Sequence, residues 1–242
     1  MQCRLYLDAA LEINALVDID AEQTKYLRQV MRLQAGDEIT VFNGQGGEFS
    51  AEIRVLSKNS GQCVLRAFHD VNRELPCRVH IIQAANRSEK IETVLQKATE
   101  MGAFDFQIVN SERATFHLPS NKREKRLQRW QKIVTEAAEQ SERTAMPSVT
   151  WVDKLHNIKL NGSLNSKGFI LHPRDAMLWQ SVRDNIVGLE DITIAIGPEG
   201  GWTNQELEVM YNKGFVGLAF GQRIMRTETA APALLAAIQA VV

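Results

Sequence analysis

The decisive stretch of the chain is DITIAIGPEGGWTNQE, residues 191–206. Its first six residues form a run typical of a buried parallel strand. The glycine loop GPEGG, residues 197–201, follows at once, and Thr203 with Glu206 forms a capping box that predicts the start of a helix. This order of strand, glycine loop and helix predicts an open α/β sheet with a ligand at the carboxyl end of the strand.

The glycine loop does not match two common nucleotide sites. No Gly-Lys-Ser/Thr follows it, as a Walker phosphate cradle requires, and its spacing is not the Gly-x-Gly-x-x-Gly of a dinucleotide-binding Rossmann site. Its glycines let backbone N–H and C=O groups approach a ligand closely. Taken alone, the loop is explained equally well as a tight structural turn.

A second loop of the same kind follows further along the chain. Residues 216–220, VGLAF, predict a strand, and residues 221–226, GQRIMR, predict a loop. Thr227 or Thr229 is the expected N-cap of a final apolar helix. The loop and the start of this helix bring together two charged residues, Arg226 and Glu228, which could pair with each other.

The first seventy residues predict a small β-barrel, because short apolar or alternating runs are separated by turn-forming residues. A helix is predicted from about Asp20 to Leu33. The polar linker 70–76 predicts a domain boundary, so we expect one domain over residues 1–72 and another over 76–242. The expected strands of the barrel are residues 5–7, 38–42, 49–56 and 62–68.

After the linker, strands alternate with helices, and this alternation predicts an α/β domain with a parallel sheet. Ser88 is the expected cap of a helix that ends at Gly102. A long helix from about Ser120 to Glu142 is predicted to bury Trp130 on its apolar stripe. The expected strands are residues 78–84, 106–109, 168–171, 191–196 and 216–220.

Composition narrows the function classes only slightly. The 242 residues are 44% hydrophobic and carry a net charge of -1, which is ordinary for a globular protein. We expect no membrane span, no signal peptide and therefore a cytoplasmic location. The three cysteines fit no zinc spacing or disulfide framework, so no metal is expected. Residues 113–143 hold eight Lys/Arg against four Glu, a local basic surface that is either a solvated helix face or a track for phosphates.

Several motifs, in this order and spacing, resemble the RsmE-type methyltransferases of the SPOUT superfamily over essentially the whole chain. The specific pair is GPEGGWT at 197–203 and FGQRIMRTETA at 220–230. The supporting motifs are KYLRQVMRL at 25–33, GDE at 36–38, FNGQGGEF at 42–49, NSER at 110–113, EAAEQSER at 136–143 and LHPRD at 171–175.

The resemblance implies a homodimer that uses S-adenosylmethionine to methylate N3 of a uridine in the decoding region of 16S rRNA, in the small ribosomal subunit. It also implies a fold: a PUA-like β-barrel, then a SPOUT-type α/β domain with a C-terminal trefoil knot at about residues 168–242. Three loops of the knot are implied to hold the cofactor. On this chain the implied cofactor residues are Leu171, His172, Gly197, Pro198, Glu199, Gly200, Gly201, Phe220, Gly221, Ile224, Met225, Arg226 and Thr229, with Pro173 beside them.

Transfer of a methyl group to uracil N3 requires alignment, exclusion of water and removal of the N3 proton. Arg226 is the first choice for a catalytic residue, because a guanidinium stabilises the imide anion at O2 or O4. Glu199 or Glu228 is a candidate proton acceptor. A loop-stabilising ion pair is the alternative for Glu228, and proton loss to water also remains open.

Contacts with RNA are expected from both domains. Arg28 and Arg32 are four residues apart and are predicted to share one helix face. Trp202, beside the glycine loop, is a candidate for stacking on a base. An RNA-binding or ribosome-assembly protein without catalysis is the main alternative, and an α/β enzyme for nucleotides is a second. The predicted RNA-binding residues are Arg4, Arg28, Arg32, Arg113, Arg123, Arg126, Arg129, Gln140 and Arg143.

Overall fold

The computed structural model describes residues 3–160, 163–172 and 176–242. It divides into two compact units. The first runs to Glu74 and also includes Ala138–Met146; the second consists of Leu75–Ala137 and the chain from Pro147 onwards. The expected domain ranges did not include Ala138–Met146 in the first unit. An antiparallel bridge between Gln45 and Ala145 attaches this segment.

The first unit is built on a five-stranded sheet with the order β1-β3-β4-β5-β2. The β1 strand pairs with β3 in parallel, and the other neighbours are antiparallel. Alternating buried residues on these strands form an apolar core that includes Leu5, Ile39, Ile53 and Leu65. The four predicted strands are confirmed, and β2 was missed. The strands are β1 Arg4–Tyr6, β2 Leu16–Ile19, β3 Glu38–Phe42, β4 Glu48–Leu56 and β5 Gly61–His69.

One helix, α1 (Ala21–Gln29), lies in the first unit. Its N-cap is Asp20, whose side chain accepts a hydrogen bond from the Gln23 amide at 2.7 Å. The helix ends four residues earlier than predicted, because Arg32 adopts a left-handed backbone with a φ of 58°. Arg28 and Arg32 therefore do not share a helix face, and that prediction is wrong.

The second unit contains a seven-stranded sheet with the order β10-β12-β9-β11-β6-β7-β8. Every neighbouring pair is parallel, which confirms the predicted α/β class. The five predicted strands are confirmed, whereas the edge strands β8 and β10 were missed. The strands are β6 Arg78–Ala84, β7 Ala103–Val109, β8 Ser148–Val152, β9 Ser166–Leu171, β10 Met177–Leu178, β11 Asp191–Ile196 and β12 Phe215–Ala219.

Helices connect these strands, and their apolar sides are buried. Trp130 is fully buried, as predicted. Gly102 follows α2 with a φ of 92°, as expected for a residue that ends a helix. Ser88 is not the cap of α2 but its first residue, and its hydroxyl donates to Glu92. The helices are α2 Ser88–Glu100, α3 Ser120–Gln140, α4 Trp179–Val182, α5 Asn204–Asn212 and α6 Thr227–Gln239.

Two general findings concern membranes and metals. Within the described ranges, no helix is both long and apolar enough to cross a membrane. In the same part of the chain, His, Cys, Asp and Glu side chains form no group of three or more that could hold a metal ion. Cys3, Cys63 and Cys77 are all free and buried, and burial raises the pKa of Cys63 to about 11.

Candidate active site at the carboxyl edge of the parallel sheet

Three loops leave the same edge of the second unit's sheet. They follow β9, β11 and β12, and these strands are neighbours in the order β12-β9-β11. The His172 amide, at the end of β9, donates to the Leu218 carbonyl of β12 at 3.1 Å. The expected cofactor loops therefore begin side by side, although Pro173 and the rest of the LHPRD motif lie outside the described residues. This edge is where open α/β sheets bind ligands.

The loop after β11 is a tight turn supported by a buried tryptophan. The Gly201 amide donates to the Pro198 carbonyl at 2.9 Å, and Gly201 has a φ of 70°. A Cβ on Gly197 would lie 3.0 Å from Nε1 of Trp202. Trp202 is only 4% exposed, so the prediction that it is an exposed stacking platform is wrong. The loop needs glycine here because the indole packs against its backbone.

Capping differs between the two helices that follow the loops. The predicted box at α5 is confirmed, since Thr203 and Glu206 bond each other's backbone amides. Neither threonine caps α6, whose N-cap is Arg226. The Thr227 hydroxyl instead donates to the Gly197 carbonyl at 3.2 Å and accepts from Gln83 Nε2 at 2.9 Å. These bonds tie β6, the glycine loop and α6 together.

Lys90, in the first turn of α2, bridges both candidate carboxylates. Its ammonium forms a close ion pair with Glu199 and lies 3.7 Å from Oε2 of Glu228. The hydrogen bond from Lys90 lowers the pKa of Glu199, and the charges of Lys90, Arg87 and Arg226 add to this effect. Glu199 is therefore held as an anion and is a weak base.

Arg226 has an exposed side chain at the end of the loop after β12. Among the described residues it forms no ion pair, and the pairing with Glu228 considered from the sequence is not made. Its charge does act on Glu199, since it contributes to the lowered pKa of that carboxyl. An exposed guanidinium at this edge can receive a substrate anion.

The loop after β12 also contains three apolar residues and a glycine. The Phe220 ring packs edge-on against Trp179, with centroids 5.7 Å apart. Ile224 is 85% exposed and Met225 is half-buried. Gly221 has a φ of 78°, a left-handed backbone that suits glycine. Thr229 lies exposed in the first turn of α6.

Several buried polar atoms near this edge have no hydrogen-bond partner among the described residues. They are Gln83 Oε1, Asn86 Nδ2, Ser111 Oγ, Trp202 Nε1 and Glu228 Oε2. Gln83 lies in β6, Asn86 and Ser111 follow β6 and β7, Trp202 follows the glycine loop and Glu228 lies in the first turn of α6. Buried polar groups are normally paired, so this cluster has unused capacity to bind a ligand or water.

Arg113, predicted to contact RNA, supports the glycine loop. Its Nη1 donates to the Gly200 carbonyl at 3.1 Å and lies 3.4 Å from the Trp202 carbonyl. The neighbouring Glu112 amide donates to Glu206 at 3.0 Å. The NSER segment thus braces the candidate site from the end of β7.

The three arginines of α3 that were predicted to contact RNA all have acidic partners. Arg129 pairs with Glu92 at 2.8 Å, and Arg126 lies 3.6 Å from the same carboxylate. Arg123 donates to Asp153 at 3.1 Å. Their charges are partly neutralised, but Arg129 is 63% exposed and accessible.

Two of the predicted RNA contacts are structural residues of the first unit. The Arg4 guanidinium is 7% exposed, pairs with Glu48 at 3.0 Å and lies 4.0 Å from the centre of the Phe42 ring. The Arg143 side chain is 5% exposed and pairs with Glu74. Burial leaves little of either side chain open to a phosphate, and the RNA-binding role of Arg4 and Arg143 stays a prediction. Arg28, Arg32 and Gln140 are exposed.

Sequence reasoning missed Lys90 and Gln83. Lys90 resembles any lysine in the polar first turn of a helix, and Gln83 lies within an apolar strand. Their partners Glu199 and Thr227 are more than 100 residues away in sequence. No local pattern identifies such pairs.

Comparison with known proteins defines the class. Residues 73–239 match the family model described as RNA methyltransferase domain, and residues 19–66 match RNA methyltransferase PUA domain. The chain therefore belongs to the RNA methyltransferases that carry a PUA domain. The predicted PUA-like domain is confirmed, while the trefoil knot remains a prediction.

Relatives define the family more closely. The chain is 34% identical to ribosomal RNA small subunit methyltransferase E of Synechocystis sp., covering 99% of this chain and 78% of that protein. It is 31% identical to the Bacillus subtilis protein of the same name, covering 91% and 88%. The chain belongs to the ribosomal RNA small subunit methyltransferase E family, which confirms the resemblance.

Two solved structures share the whole fold. A methyltransferase from Legionella pneumophila in complex with S-adenosylmethionine has a TM-score of 0.90 and 29% identity, with coverage of 99% of this chain and 98% of that one. The ribosomal RNA small subunit methyltransferase E from Neisseria gonorrhoeae, bound to S-adenosylmethionine, has a TM-score of 0.89 and 31% identity, with the same coverage.

Proposed function

We propose that this protein transfers a methyl group from S-adenosylmethionine to N3 of a uridine in 16S rRNA, in the decoding region of the small subunit. One observation carries the proposal: three loops begin together at the ends of β9, β11 and β12, beside the exposed Arg226. Family membership supports the reaction class, and the two S-adenosylmethionine complexes of similar structures support the donor.

The residues at this edge suit S-adenosylmethionine. Backbone groups of the two glycine loops are available for an adenine, and Phe220 with Met225 offers apolar surface. Gln83 Oε1 is a buried acceptor without a partner among the described residues. When bound, the donor supplies an electrophilic methyl group. The residues proposed to hold it are those of the three loops: Leu171, His172, 197–201, 220–221, 224–226 and Thr229.

Uracil N3–H lies between two carbonyl groups and becomes nucleophilic when its proton is removed. Arg226 is proposed to stabilise the negative charge that develops on O2 or O4. Glu228 is the better proton acceptor of the two carboxylates, because its Oε2 has no hydrogen-bond partner among the described residues. Glu199 is less suited to that role because its pKa is lowered by Lys90.

The rRNA is proposed to contact both units. Arg28 and Arg32 offer exposed charge on the PUA domain, although α1 holds only the first of them. Arg129 offers charge on α3, and Gln140 lies exposed at the end of that helix. Exchange of Arg28 and Arg32 for Glu is expected to weaken binding to rRNA and to flatten its salt dependence. Filter binding at several salt concentrations measures both.

The reaction is tested with purified protein, methyl-labelled S-adenosylmethionine and small ribosomal subunits from a strain that lacks the gene. Digestion of the RNA and mass mapping of nucleosides should find one 3-methyluridine. A methyl group on another position would contradict the proposal. Binding of rRNA without transfer, together with no binding of S-adenosylmethionine at millimolar concentration, would favour the non-catalytic RNA-binding alternative. Free 16S rRNA serves as a parallel substrate.

Two further features implied by the family resemblance remain proposals. We propose a homodimer, supported by the exposed apolar side chains of Met177 and Leu178 on the edge strand β10. Light scattering should give twice the mass of one chain.

We also propose the trefoil knot at residues 168–242. The path of the chain supports it. The strand β12 is separated from β11 by β9, yet the helix that follows β12, α6, packs against β11 and α2. A crystal structure tests it.

A further inference from the structure

A chain of buried hydrogen bonds links β6, the glycine loop and the first residue of α6. Gln83 Nε2 donates to the Thr227 hydroxyl oxygen at 2.9 Å, and the Thr227 hydroxyl donates to the Gly197 carbonyl at 3.2 Å. Gln83 is 1% exposed and Thr227 is 6% exposed, so water competes little for these bonds. In the parallel register, Gln83 lies beside Ile196, the last residue of β11. We call these bonds the Gln83–Thr227–Gly197 relay.

The direction of the relay is fixed by a second acceptor. Gln83 Nε2 also donates to the Ala84 carbonyl at 3.0 Å. A carbonyl oxygen can only accept, so the amino group of the Gln83 amide, and not its oxygen, must face Ala84 and Thr227. The Thr227 oxygen therefore accepts from Gln83, and its proton is left for Gly197. A flipped amide would place its oxygen against the Ala84 carbonyl.

The start of α6 has few other polar attachments. Its N-cap, Arg226, makes no side-chain capping bond, and Pro232 lacks the amide that would donate to the Glu228 carbonyl. The Glu228 side chain lies 3.7 Å from the partly exposed ammonium of Lys90, and such a pair contributes little. The buried Thr227 hydroxyl, in contrast, attaches the first turn of α6 to β6 and to the glycine loop. The relay therefore fixes where α6 begins.

Arg226 immediately precedes Thr227, and its exposed guanidinium forms no ion pair among the described residues. Its place therefore depends on the backbone at the start of α6. We infer that Gln83 is a positioning residue for methyl transfer: through the Thr227 hydroxyl it holds the start of α6, and with it Arg226, against the glycine loop. This inference rests on the proposed function. Gln83 acts through Thr227 and Arg226 and does not touch the reacting atoms.

The Gln83 amide is not the group that stability alone would favour. Its Oε1 is buried and has no hydrogen-bond partner among the described residues. An unpaired buried acceptor is costly, and methionine, a side chain of similar length, would remove it. The loss of the two bonds from Nε2 offsets that gain, so we expect Gln83→Met to change the stability of the fold only slightly. Its effect on methyl transfer is then separable from any effect on folding.

The test compares Gln83→Met with the control Gln107→Met. Gln107 lies opposite Ile82 on the neighbouring strand β7, is 6% exposed, and bonds the Lys159 backbone through both amide atoms at 2.8 and 3.0 Å. With labelled S-adenosylmethionine and small ribosomal subunits, Gln83→Met should lower kcat at least about tenfold, because a misplaced catalytic group is costly. The dissociation constant for S-adenosylmethionine should change by less than about threefold, since Arg226 acts in the transition state. Gln107→Met should keep the wild-type kcat.

Two further comparisons show whether the effect passes through Thr227 and Arg226. Thr227→Val, which lacks the hydroxyl, should lower kcat as Gln83→Met does, whereas Thr227→Ser should keep most of the wild-type kcat. In an Arg226→Ala background, Gln83→Met should lower kcat further by less than about twofold, because coupled residues are not additive. Thermal unfolding checks that each variant is folded. If Gln83→Met does not fold, Thr227→Val and Thr227→Ser replace it in every comparison.

Hydrogen–deuterium exchange of the free protein gives a readout that does not depend on activity. Peptides that cover the first turn of α6, which begins at Thr227, should exchange faster in Gln83→Met than in wild type, because this turn loses its attachment to β6. The same peptides should keep their rates in Gln107→Met.

The possible outcomes separate the two proposals. An unchanged kcat in Gln83→Met, a Thr227→Ser variant as impaired as Thr227→Val, or a full additional loss of kcat in the Arg226→Ala background overturns the positioning role. A loss of affinity for S-adenosylmethionine as large as the loss of kcat also overturns it, and assigns Gln83 Oε1 to binding of the donor. A wild-type protein that transfers no methyl group to rRNA contradicts the proposed function instead. The exchange rates then decide whether Gln83 holds the start of α6, and unchanged rates in Gln83→Met overturn that role.

Discussion

The two edges of the parallel sheet differ in how completely their buried polar groups are paired. At the amino edge, Asp191 accepts hydrogen bonds from Arg78 at 2.7 and 2.9 Å, from His80 at 3.1 Å and from the Ser163 amide at 2.9 Å. At the carboxyl edge, five buried polar atoms, Gln83 Oε1 among them, have no hydrogen-bond partner among the described residues, whereas at the amino edge this holds for Asp105 Oδ1 and Ser163 Oγ.

The difference is instructive because β6 and β11 contribute to both edges. His80 is the third residue of β6 and Gln83 the sixth, so only two strand residues separate the network around Asp191 from a side chain whose Oε1 has no partner among the described residues. Paired buried groups stabilise the fold and tolerate no loss of a partner. Unpaired ones carry a free-energy cost that a bound ligand removes. We therefore propose that the amino edge stabilises the fold and that the carboxyl edge binds the ligand.

The largest effect is expected at the carboxyl edge. Arg226→Ala should lower kcat by roughly 100- to 1,000-fold, because the charge developing on uracil loses its counterion. The dissociation constant for S-adenosylmethionine, measured by calorimetry, should change by less than about fivefold, since glycine-loop backbone dominates that site. Lys97→Ala is the control for loss of positive charge. Equal losses of affinity and turnover would show that Arg226 acts in binding instead.

The next effect belongs to the amino edge. Asp191→Asn should reduce the free energy of unfolding by about 3 kcal/mol, because Arg78 and buried His80 lose their shared anion. Urea unfolding measures the change, and S-adenosylmethionine affinity of the folded fraction should be unaltered. Asp184→Asn is a suitable control, since that side chain is 83% exposed and pairs only at the surface with Arg183. If Asp191→Asn lost affinity for S-adenosylmethionine but no stability, the amino edge would not have the structural role proposed for it.

Two glycines sharpen the comparison further. A Cβ on Gly197 would lie 3.0 to 3.2 Å from the Trp202 indole, and one on Gly168 would lie 3.1 to 3.2 Å from the Phe215 ring. Gly197→Ala should weaken S-adenosylmethionine binding about tenfold, because the loop must shift. Gly168→Ala imposes similar crowding within β9 and should cost stability but not affinity. Calorimetry measures the affinity and thermal unfolding the stability of both variants. Weaker S-adenosylmethionine binding by Gly168→Ala, with unchanged binding by Gly197→Ala, would contradict the prediction.

The smallest effect is a pH dependence of stability. Burial alone would lower the pKa of His80, but hydrogen bonds and charges from Asp105 and Asp191 outweigh it, so the pKa is raised. The facing groups are these two carboxylates and Arg78, which is bound to Asp191. The stabilisation from His80 is complete below its unfolded pKa of about 6.5 and is lost as pH rises through the folded pKa.

Urea unfolding between pH 6 and 9 tests this dependence. The slope attributable to His80 cannot exceed about 1.4 kcal/mol per pH unit, because one proton is involved. The pKa of Asp191 is lowered, chiefly by the hydrogen bond from Arg78, so its own contribution is lost only as pH falls below the usual range for aspartate. His80→Phe should abolish the slope above pH 6. If the slope persists in this variant, the pH dependence of stability arises from another group.

The features that the sequence predicted are those with local signatures. The run 191–196, its glycine loop and the Thr203–Glu206 box lie within sixteen consecutive residues, and all three are present. Short strands that contain polar residues were harder to predict from the sequence. Strand β2 has alternating exposed residues and a central Asp18, so its apolar signal is weak.

Most of the failures share a physical cause, which is contact between residues far apart in the sequence. The sequence predicted an exposed Trp202, but this side chain is buried in a core cluster with Ile82 and Val109, which lie far from it in sequence. Arg143 was predicted to contact RNA, but in the structure it pairs with Glu74, which lies sixty-nine residues earlier in the sequence. The helix predicted to continue through Arg32 ends at Gln29, and Arg32 itself has a left-handed backbone. Fold class follows from local patterns, whereas the roles of charged residues depend on distant partners.

The central claim is that the carboxyl edge holds the methyl donor and the amino edge does not. Hydrogen–deuterium exchange with and without saturating S-adenosylmethionine tests it directly on the unmodified protein. We expect the donor to slow exchange in residues 197–201 and 220–226, while peptides that contain His80 and Asp105 keep their rates. Equal rates in both loops with the donor bound, or protection confined to the amino edge, would contradict the account.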